Sequence, residues 1–436
     1  MDSRVYQRRR EAVYQAIGNN AALILPAATS KLRNQGTEYP FRQDSNFYYL
    51  SGLNEDQACL VIMVKDHQPL SWLFTQQSTA EEKCWSHSRL GCDKAQIELG
   101  FEQAYPYAEL GLRMPLLLRN LQKIYYPMGQ DQAFEQALQS WLKALQPYAK
   151  RGAQIPTMHI ESNTVLHELR LIKDAHELAL MREAARISAQ GHIRAMQVCK
   201  VGMWEYELEA QCHYEFCRHG ARVEAYPSIV GGGNNACTLH YTQNNQPLVD
   251  QQLVLIDAGA EYQNYAADIT RTFPINGQFT APQRAIYELV LAAQLAGIDQ
   301  VRAGRPWSAM QQAILEVLVP GLVTLGILQG EIQDLIEQQH YQPFYRHQSG
   351  HWLGLDVHDV GHYKIKSQWR LLKPGMVVTV EPGLYFPQDC TAVEKKWRGI
   401  GVRIEDDVLV TTGEPEILSA LVPKTVSEIE GLMQNS

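Results

Sequence analysis

Acidic residues beside strand-like apolar runs constrain this chain more than any other feature of its sequence. Four of them occur in the second half of the chain: Asp257 after Leu253–Ile256, Asp268 with Ile269–Phe273, Glu381 after Met376–Val380 and Glu405 after Gly401–Ile404. The runs are typical of buried strands. A carboxylate at the end of a buried strand is costly unless it is paired or bound to a metal ion. One such residue is ordinary, but four in one region favour a shared metal centre.

The residue types indicate which metal such a centre holds. Asp268 or Glu405 alone is more typical of a cap or turn carboxylate, so the interpretation rests on the whole set. His351, in the segment Ser349–Gly354, adds an imidazole nitrogen. Four carboxylates and one imidazole are rich in oxygen ligands, which favours Mn²⁺ or a similar ion, with zinc or cobalt as substitutes.

The charge of these residues indicates how many ions the centre holds. Four carboxylates carry four negative charges, which two divalent cations neutralise and one does not. We therefore expect two cations bridged by carboxylates. A water molecule between the cations would be acidified to hydroxide and would become a nucleophile at neutral pH.

The composition excludes several other classes of protein. Of the 436 residues, 45% are hydrophobic and 20% are charged, which is ordinary for a globular protein. The net charge of −8, without a basic block, argues against a nucleic-acid partner. The longest apolar stretches, such as 21–28, fall short of the roughly 20 residues that span a membrane. The N-terminus predicts no secretory signal, and the eight cysteines include no Cys-x-x-Cys pair. We expect reduced cysteines and a cytoplasmic protein.

The pattern of elements changes to long amphipathic helices from about Ser162, and the junction of these helices near Leu171 predicts a boundary between two domains. Residues 1–171 alternate short strand-like runs with helical stretches, as in an α/β domain. After them, apolar residues recur at helical spacing from about Asp174 to Val198. Strand–turn–strand signals then follow. We expect residues 172–436 to form an α+β domain with an antiparallel sheet covered by helices.

Five segments in order carry a resemblance to a known family: Ile256–Gly259, Asp268–Phe273, His351–Asp359, Glu381–Tyr385 and Gly401–Asp407. They closely resemble the pita-bread metallopeptidases, and among these the Xaa-Pro aminopeptidases (aminopeptidase P) of bacterial type. The similarity extends to residues 39–52 and so covers nearly the whole chain. It implies a creatinase-like N-terminal domain and a pita-bread catalytic domain.

The resemblance implies that five side chains bind two divalent metal ions: Asp257, Asp268, His351, Glu381 and Glu405. Asp257 would chelate one ion. Asp268 and Glu405 would bridge both ions, and His351 and Glu381 would complete the coordination of the second ion. Mn²⁺ is the favoured metal.

Three of the implied roles are catalytic. Glu381 would also act as general base on the bridging water and pass the proton to the leaving nitrogen. His358 would hydrogen-bond the scissile carbonyl and stabilise the tetrahedral oxyanion. His240 would assist substrate binding or proton transfer.

The implied pocket for a proline ring consists of His347, Tyr385 and Arg403. Taken from the residues alone, the histidine and the tyrosine also fit core positions, and the arginine also fits a neutralising role beside Asp406. The resemblance further implies that Trp85 contacts substrate in a neighbouring subunit, although His87 stands where the family has glycine.

The expected activity is release of the N-terminal residue from peptides whose second residue is proline. The bond before proline is a tertiary amide without an N–H, which suits an enzyme that polarises the carbonyl with metal. The resemblance also implies a homo-oligomer, either a tetramer or a dimer. Two alternatives remain open. One is a prolidase, which cleaves only Xaa-Pro dipeptides, and the other is a metal-free pita-bread module that binds peptides or proteins.

Overall fold

The computed structural model describes residues 3–78 and 89–434. The chain divides into two compact units, Met1–Arg170 and Leu171–Ser436. Over the described residues, every helix falls short of the length and apolar character that crossing a membrane requires.

The first unit contains a mixed sheet, a small hairpin and seven helices among the described residues. Its strands are β1 Ala21–Pro26, β2 Leu32–Asn34, β3 Thr37–Glu38, β4 Cys59–Lys65, β5 Gln68–Thr75, β6 Gln103–Pro106, β7 Lys123–Tyr126 and β8 Met158–Glu161. Its helices are α1 Ser3–Ile17, α2 Ser45–Ser51, α3 Gly91–Leu99, α4 Leu110–Leu118, α5 Gln132–Ala144, α6 Gln146–Ala149 and α7 Asn163–Leu171. The sheet has the order β6-β5-β4-β1-β7-β8, and β2 pairs with β3 apart from it.

Apolar sequence explains the centre of this sheet. Strand β1 is almost entirely buried, and it lies between antiparallel β4 and parallel β7. Helix α5 buries Phe134, Leu138 and Trp141, which follow one another at helical spacing, in the same core. The α/β character predicted for this part of the chain is confirmed.

The second unit contains six further helices and thirteen strands among the described residues. The helices are α8 Ala175–Val198, α9 Glu205–Arg218, α10 Ala281–Asp299, α11 Ser308–Thr324, α12 Ile332–Glu337 and α13 Val426–Gln434. The strands are β9 Val223–Glu224, β10 Ile229–Gly232, β11 Leu253–Asp257, β12 Ala260–Tyr262, β13 Tyr265–Ala266, β14 Thr270–Pro274, β15 Lys364–Ile365, β16 Gln368–Trp369, β17 Val377–Val380, β18 Gly383–Phe386, β19 Ile400–Arg403, β20 Asp406–Leu409 and β21 Glu416–Ile417.

These strands form several short sheets where the sequence predicts one. The groups are β10-β11-β14, β13-β12-β9, β17-β20-β21, β18-β19 and β15-β16. Their pairings are antiparallel, as predicted. The long helix predicted from Asp174 is present as α8, because Asp174 and Glu177 form a capping box at its start.

The connection from β11 to β14 differs from the sequence prediction. Instead of one turn and a returning strand, the hairpin β12-β13 intervenes, turning at Gln263 and Asn264 with φ angles of 49° and 67°. Asp268 therefore lies in the link before β14 and not within a strand. Because Asp257 pairs with Thr270 at the end of the β11-β14 ladder, both aspartates lie at the same edge of the sheet.

Gly259 allows this connection to close tightly. A Cβ atom at this position would lie 1.7 Å from the carbonyl oxygen of Ala267. We expect Gly259→Ala to lower the free energy of unfolding by about 2 kcal/mol or more, because the backbone must shift to relieve the overlap. Urea denaturation measures the change. Gly413→Ala is the control, since its Cβ would meet no atom closer than 4.0 Å. Equal stability of the two variants would contradict the prediction.

Candidate active site

Nine of the predicted site residues line one cavity of about 730 Å³ in the second unit: His240, Asp257, Asp268, His347, His351, His358, Glu381, Arg403 and Glu405. Tyr385 lies behind the cavity wall, buried against His347 and Arg403. Trp85 lies outside the described residues. Residues from distant parts of the sequence therefore meet at one place.

Three of these side chains lie close enough together to share a metal ion. One donor atom from each of Asp268, His351 and Glu405 lies within 4.8 Å of the other two. The Nε2 atom of His351 lies 3.3 Å from Asp268 Oδ2 and 3.6 Å from Glu381 Oε1. The other ring nitrogen, Nδ1, lies 3.0 Å from the Trp352 carbonyl oxygen. This hydrogen bond orients Nε2 towards the carboxylates.

Backbone pairing and threonine side chains position the two glutamates. Glu405 lies between β19 and β20, and its backbone N–H donates to the carbonyl of Thr270 over 3.1 Å. The Thr270 hydroxyl donates to Glu405 Oε2 over 2.7 Å. Glu381 directly follows β17, and the Thr379 hydroxyl lies 3.3 Å from its Oε1 atom. The same hydroxyl accepts the backbone N–H of His351 over 3.0 Å, which links these two side chains.

Arg403 pairs directly with Asp257. Its Nη2 atom lies 2.5 Å from Asp257 Oδ2, and both side chains are nearly inaccessible to solvent. The alternative role for this arginine, beside Asp406, does not match the structure. Asp406 instead pairs with Arg271 and Lys424, each at 2.7 Å. Arg403 therefore belongs to the cavity.

Tyr226 is a site residue that the sequence analysis missed. Its hydroxyl lies 2.6 Å from Asp257 Oδ1 and 2.5 Å from Asp268 Oδ1, so it bridges two carboxylates. It precedes β10, whose residue Ile229 pairs with Asp257. No motif distinguishes this tyrosine among the 21 in the chain. Only the pairing of β10 with β11 reveals its position.

Burial and mutual repulsion perturb the carboxylates strongly. Burial, opposed by His351 and Arg403 and aided by the nearby carboxylates, raises the pKa of Glu381 to about 7. Burial and the charge of Asp268 raise the pKa of Glu405 well above its usual range. Burial acts in the same direction on Asp268, but the hydrogen bond and charge of His351 outweigh it and lower the pKa of that aspartate. Without bound cations, these carboxylates can lie together only if some of them are protonated and positive groups lie nearby.

Three of the five histidines that line the cavity, His347, His351 and His358, divide into two kinds. Burial lowers the pKa of His351, but the hydrogen bond to Asp268 and the charges of Glu381 and Asp268 outweigh it and raise the pKa to about 9. Burial and the charge of Arg403 lower the pKa of His347 to about 4. Burial and the charge of His351 also lower the pKa of His358. The last two side chains are therefore neutral at neutral pH.

His347, Tyr385 and Arg403 form one hydrogen-bonded wall of the cavity. The Tyr385 hydroxyl lies 2.8 Å from His347 Nε2 and accepts from Arg403 Nη1 over 3.1 Å. The Arg403 Nε atom donates to the Thr270 hydroxyl over 3.0 Å, which joins this wall to Glu405. The three predicted pocket residues are thus brought together beside the acidic cluster.

The donor set fits divalent cations. Three buried carboxylates, the half-buried Glu381 and one imidazole face a single cavity, and the pKa values of Asp257, Glu381 and Glu405 are raised when no cation offsets their charges. Oxygen-rich sites of this kind favour Mg²⁺, Ca²⁺ or Mn²⁺, while the imidazole also suits zinc and cobalt. The five residues that the sequence singles out therefore form a donor set that suits divalent cations.

Comparisons with known proteins give one consistent result. The family model for metallopeptidase family M24 matches residues 179–412, and the model for the aminopeptidase P N-terminal domain matches residues 6–125. The chain is 43% identical to Xaa-Pro aminopeptidase of Escherichia coli, over 98% of this chain and 97% of that protein.

Solved structures agree with this over the full length. Aminopeptidase PepP of Pseudomonas aeruginosa is 45% identical, with a TM-score of 0.97 over 100% of this chain and 98% of that one. Aminopeptidase P of E. coli with the inhibitor Pro-Leu is 42% identical, with a TM-score of 0.96 over 100% of this chain and 99% of that one.

Metal binding should release protons and weaken as the pH falls from about 9 to about 6, because ligands must be deprotonated before they bind. His351 and Glu381 carry protons in this range when the metal is absent, since their pKa values are about 9 and about 7. Calorimetry of Mn²⁺ binding in buffers with different ionisation enthalpies measures the proton release. An affinity that does not change over this pH range would contradict the expectation.

Tyr226→Phe should weaken metal binding by about 10- to 100-fold while the protein remains folded, because the hydroxyl orients two ligand carboxylates. Metal content after dialysis against graded concentrations of a chelator measures the effect. Tyr214→Phe is the matched control, since Tyr214 is 58% exposed on α9. Equal metal retention by both variants would show that the hydroxyl of Tyr226 is not needed.

Proposed function

Since the chain belongs to metallopeptidase family M24 and carries the aminopeptidase P N-terminal domain, we propose that it is a metal-dependent Xaa-Pro aminopeptidase. It releases the N-terminal residue from peptides whose second residue is proline. The main support is likeness to Xaa-Pro aminopeptidase over 98% of the chain, combined with a complete acidic cavity. The same likeness favours this activity over a prolidase restricted to dipeptides. A metal-free binding module has no use for four clustered carboxylates that repel one another, three of which are buried.

Two divalent cations would be held by Asp257, Asp268, His351, Glu381 and Glu405, with Mn²⁺ as the favoured metal. When bound, such ions polarise a carbonyl and lower the pKa of a coordinated water molecule. We propose that Asp268 and Glu405, whose donor atoms lie within 4.8 Å of one another and of His351, would serve as ligands to both ions.

Glu381 is proposed to accept the proton of the attacking water and to deliver it to the proline nitrogen. Its carboxylate lies 3.6 Å from His347 Nδ1 and 3.6 Å from His351 Nε2. It therefore lies between the acidic cluster and the wall assigned to proline. A proton carried by Glu381 would therefore pass from the attacking water to the proline nitrogen.

His358 and His240 are proposed to act on the substrate carbonyl and on proton transfer. The ring of His358 packs edge-on against His351, with 4.3 Å between ring centroids. Its lowered pKa leaves a neutral imidazole, which donates one N–H and can stabilise negative charge on the carbonyl oxygen. His240 lines the same cavity.

The substrate proline is proposed to contact His347, Tyr385 and Arg403. The two ring side chains lie 5.6 Å apart between centroids, and the arginine ties them to the acidic cluster. A preformed wall of this kind aligns a rigid pyrrolidine ring without a hydrogen bond to its nitrogen. Trp85 remains a proposed contact to substrate in a neighbouring subunit.

Location and assembly are also proposals. Cys59, Cys92, Cys199 and Cys212 are free thiols in buried positions, which supports a reducing compartment, and we propose the cytoplasm. We propose a homo-oligomer, a dimer or tetramer, on the resemblance alone. We place the domain boundary near Leu171, where the two compact units meet in the chain.

Asp268→Asn should lower kcat/KM for a peptide such as Arg-Pro-Pro by about 100-fold or more, because the centre loses a carboxylate assigned to both ions. Activity assays with added Mn²⁺ measure the loss of kcat/KM, and circular dichroism shows whether the variant is still folded. Asp389→Asn is the control, since Asp389 is exposed and lies outside the cavity lining. Normal turnover by the Asp268 variant would refute the bridging role.

Substrate length separates the two peptidase activities. The proposed enzyme hydrolyses Xaa-Pro-Yaa peptides with added Mn²⁺. A protein that cleaves Xaa-Pro dipeptides but no tripeptide would be a prolidase. A folded protein that takes up Mn²⁺ and cleaves neither substrate would contradict both activities.

A further inference from the structure

The hairpin β15-β16 brings a lysine and a tryptophan to the solvent-exposed rim of the metal-centre cavity. Lys364 and Trp369 are opposite one another in the β15-β16 register, and both line the cavity. The Lys364 ammonium lies 4.2 Å from the centre of the Trp369 ring, in a cation–π contact. The Trp369 side chain is 41% exposed. The rim therefore offers a positive charge backed by an aromatic face.

Aromatic packing anchors the base of this hairpin. Tyr363 stacks on the buried Trp352 at 5.4 Å between centroids with an interplanar angle of 7°. It also contacts Trp307 at 4.5 Å. These contacts fix the start of β15, so Lys364 projects from a supported position and not from a free loop.

Lys364 differs from Arg403, the other lysine or arginine side chain in the described lining of the cavity. Among the lysine and arginine side chains in its lining, Arg403 is paired with Asp257, whereas Lys364 forms no ion pair with any described residue. Its carboxylate partner can therefore come from a bound molecule. An aromatic contact restrains the ammonium and lowers the entropic cost of pairing.

The direction of a bound peptide follows from the proposed function, on which this inference rests. The N-terminal amine lies at the acidic cluster, so the rest of the peptide must leave through the open rim. A second cavity of about 320 Å³ shares Trp307, Gln348 and Trp369 with the first. Gln348 directly follows His347 of the wall assigned to proline. On the proposed function, the residue after the proline would therefore lie on the side of the cavity that Gln348 and Trp369 line.

We propose that Lys364 and Trp369 form a subsite for the third residue of the substrate and select a carboxylate there. The carboxylate comes either from a glutamate or aspartate side chain or from the C-terminus of a tripeptide. Both sources present the same group to the ammonium. The subsite sets which peptides this enzyme prefers and takes no part in the chemical step.

Amidated tripeptides test the side-chain source with the metal-loaded enzyme. We expect kcat/KM to be about three- to fivefold higher for Ala-Pro-Glu-NH₂ than for Ala-Pro-Gln-NH₂, as for an exposed charge pair. Lys364→Gln should abolish this ratio, and Lys364→Glu should invert it. The difference should appear in KM and not in kcat, because the contact is the same in ground and transition states. The ratio should shrink in high salt.

Lys366→Gln is the matched control, because Lys366 is exposed in the turn of the same hairpin and lies outside the cavity lining. It should keep the wild-type ratio. The C-terminal source is tested by comparing Ala-Pro-Gln with Ala-Pro-Gln-NH₂ in wild type, Lys364→Gln and Lys366→Gln. The proposal would be overturned if Lys364→Gln left the kcat/KM ratio unchanged for both pairs of peptides. It would also be overturned if the preference depended on the first residue of the peptide and not on the third.

Binding measurements keep this test independent of turnover. Calorimetry of the Mn²⁺-loaded protein compares Pro-Glu-NH₂ with Pro-Gln-NH₂, neither of which contains a bond to be cleaved before proline. Tighter binding of the glutamyl peptide, lost in Lys364→Gln, supports the subsite. Equal binding by wild type contradicts it. Absence of hydrolysis of every Xaa-Pro peptide would count against the proposed function alone.

Discussion

Repulsion among four carboxylates, three of them buried, is the constraint on which the rest of the second unit depends. Asp257, Asp268, Glu381 and Glu405 face one cavity, and three of them have raised pKa values without cations. Groups of like charge do not stay together in a protein interior unless something offsets them. The fold brings an arginine, a tyrosine hydroxyl and a protonated histidine to this place. Each of these groups offsets part of the negative charge of the carboxylates, as a bound cation would also do.

This arrangement couples the acidic cluster to the wall assigned to proline. Arg403 pairs with Asp257 and also donates to Tyr385 and Thr270, so one guanidinium contacts both parts of the cavity. A change in the charge of the cluster can therefore reach the wall through the hydrogen bonds of this guanidinium. Its planar fork makes several such bonds at fixed angles, which a lysine cannot reproduce.

Local signals predicted the framework, whereas long-range pairing determined the remaining details. The apolar run of β11 and the capping residues of α8 are read directly from the sequence, and so are the acidic residues at strand ends. The hairpin β12-β13 was missed because its strands are short and apolar alternation there is weak. Tyr226 was missed because only the β10-β11 register brings it to Asp257. The pairing of Arg403 with Asp257 joins residues 146 positions apart, which no local pattern reveals.

The hairpin between the two aspartates has a consequence for engineering. Asp257 and Asp268 are set by the sheet edge and by the closed turn at Gly259, while in the hairpin turn Gln263 is exposed and Asn264 is buried. An exposed turn side chain can be replaced with little effect on packing, whereas its buried neighbour cannot. A small environment-sensitive dye attached at residue 263 would be a few residues from both ligands without replacing either. The molecule thus carries a natural attachment point for an optical reporter of ion occupancy.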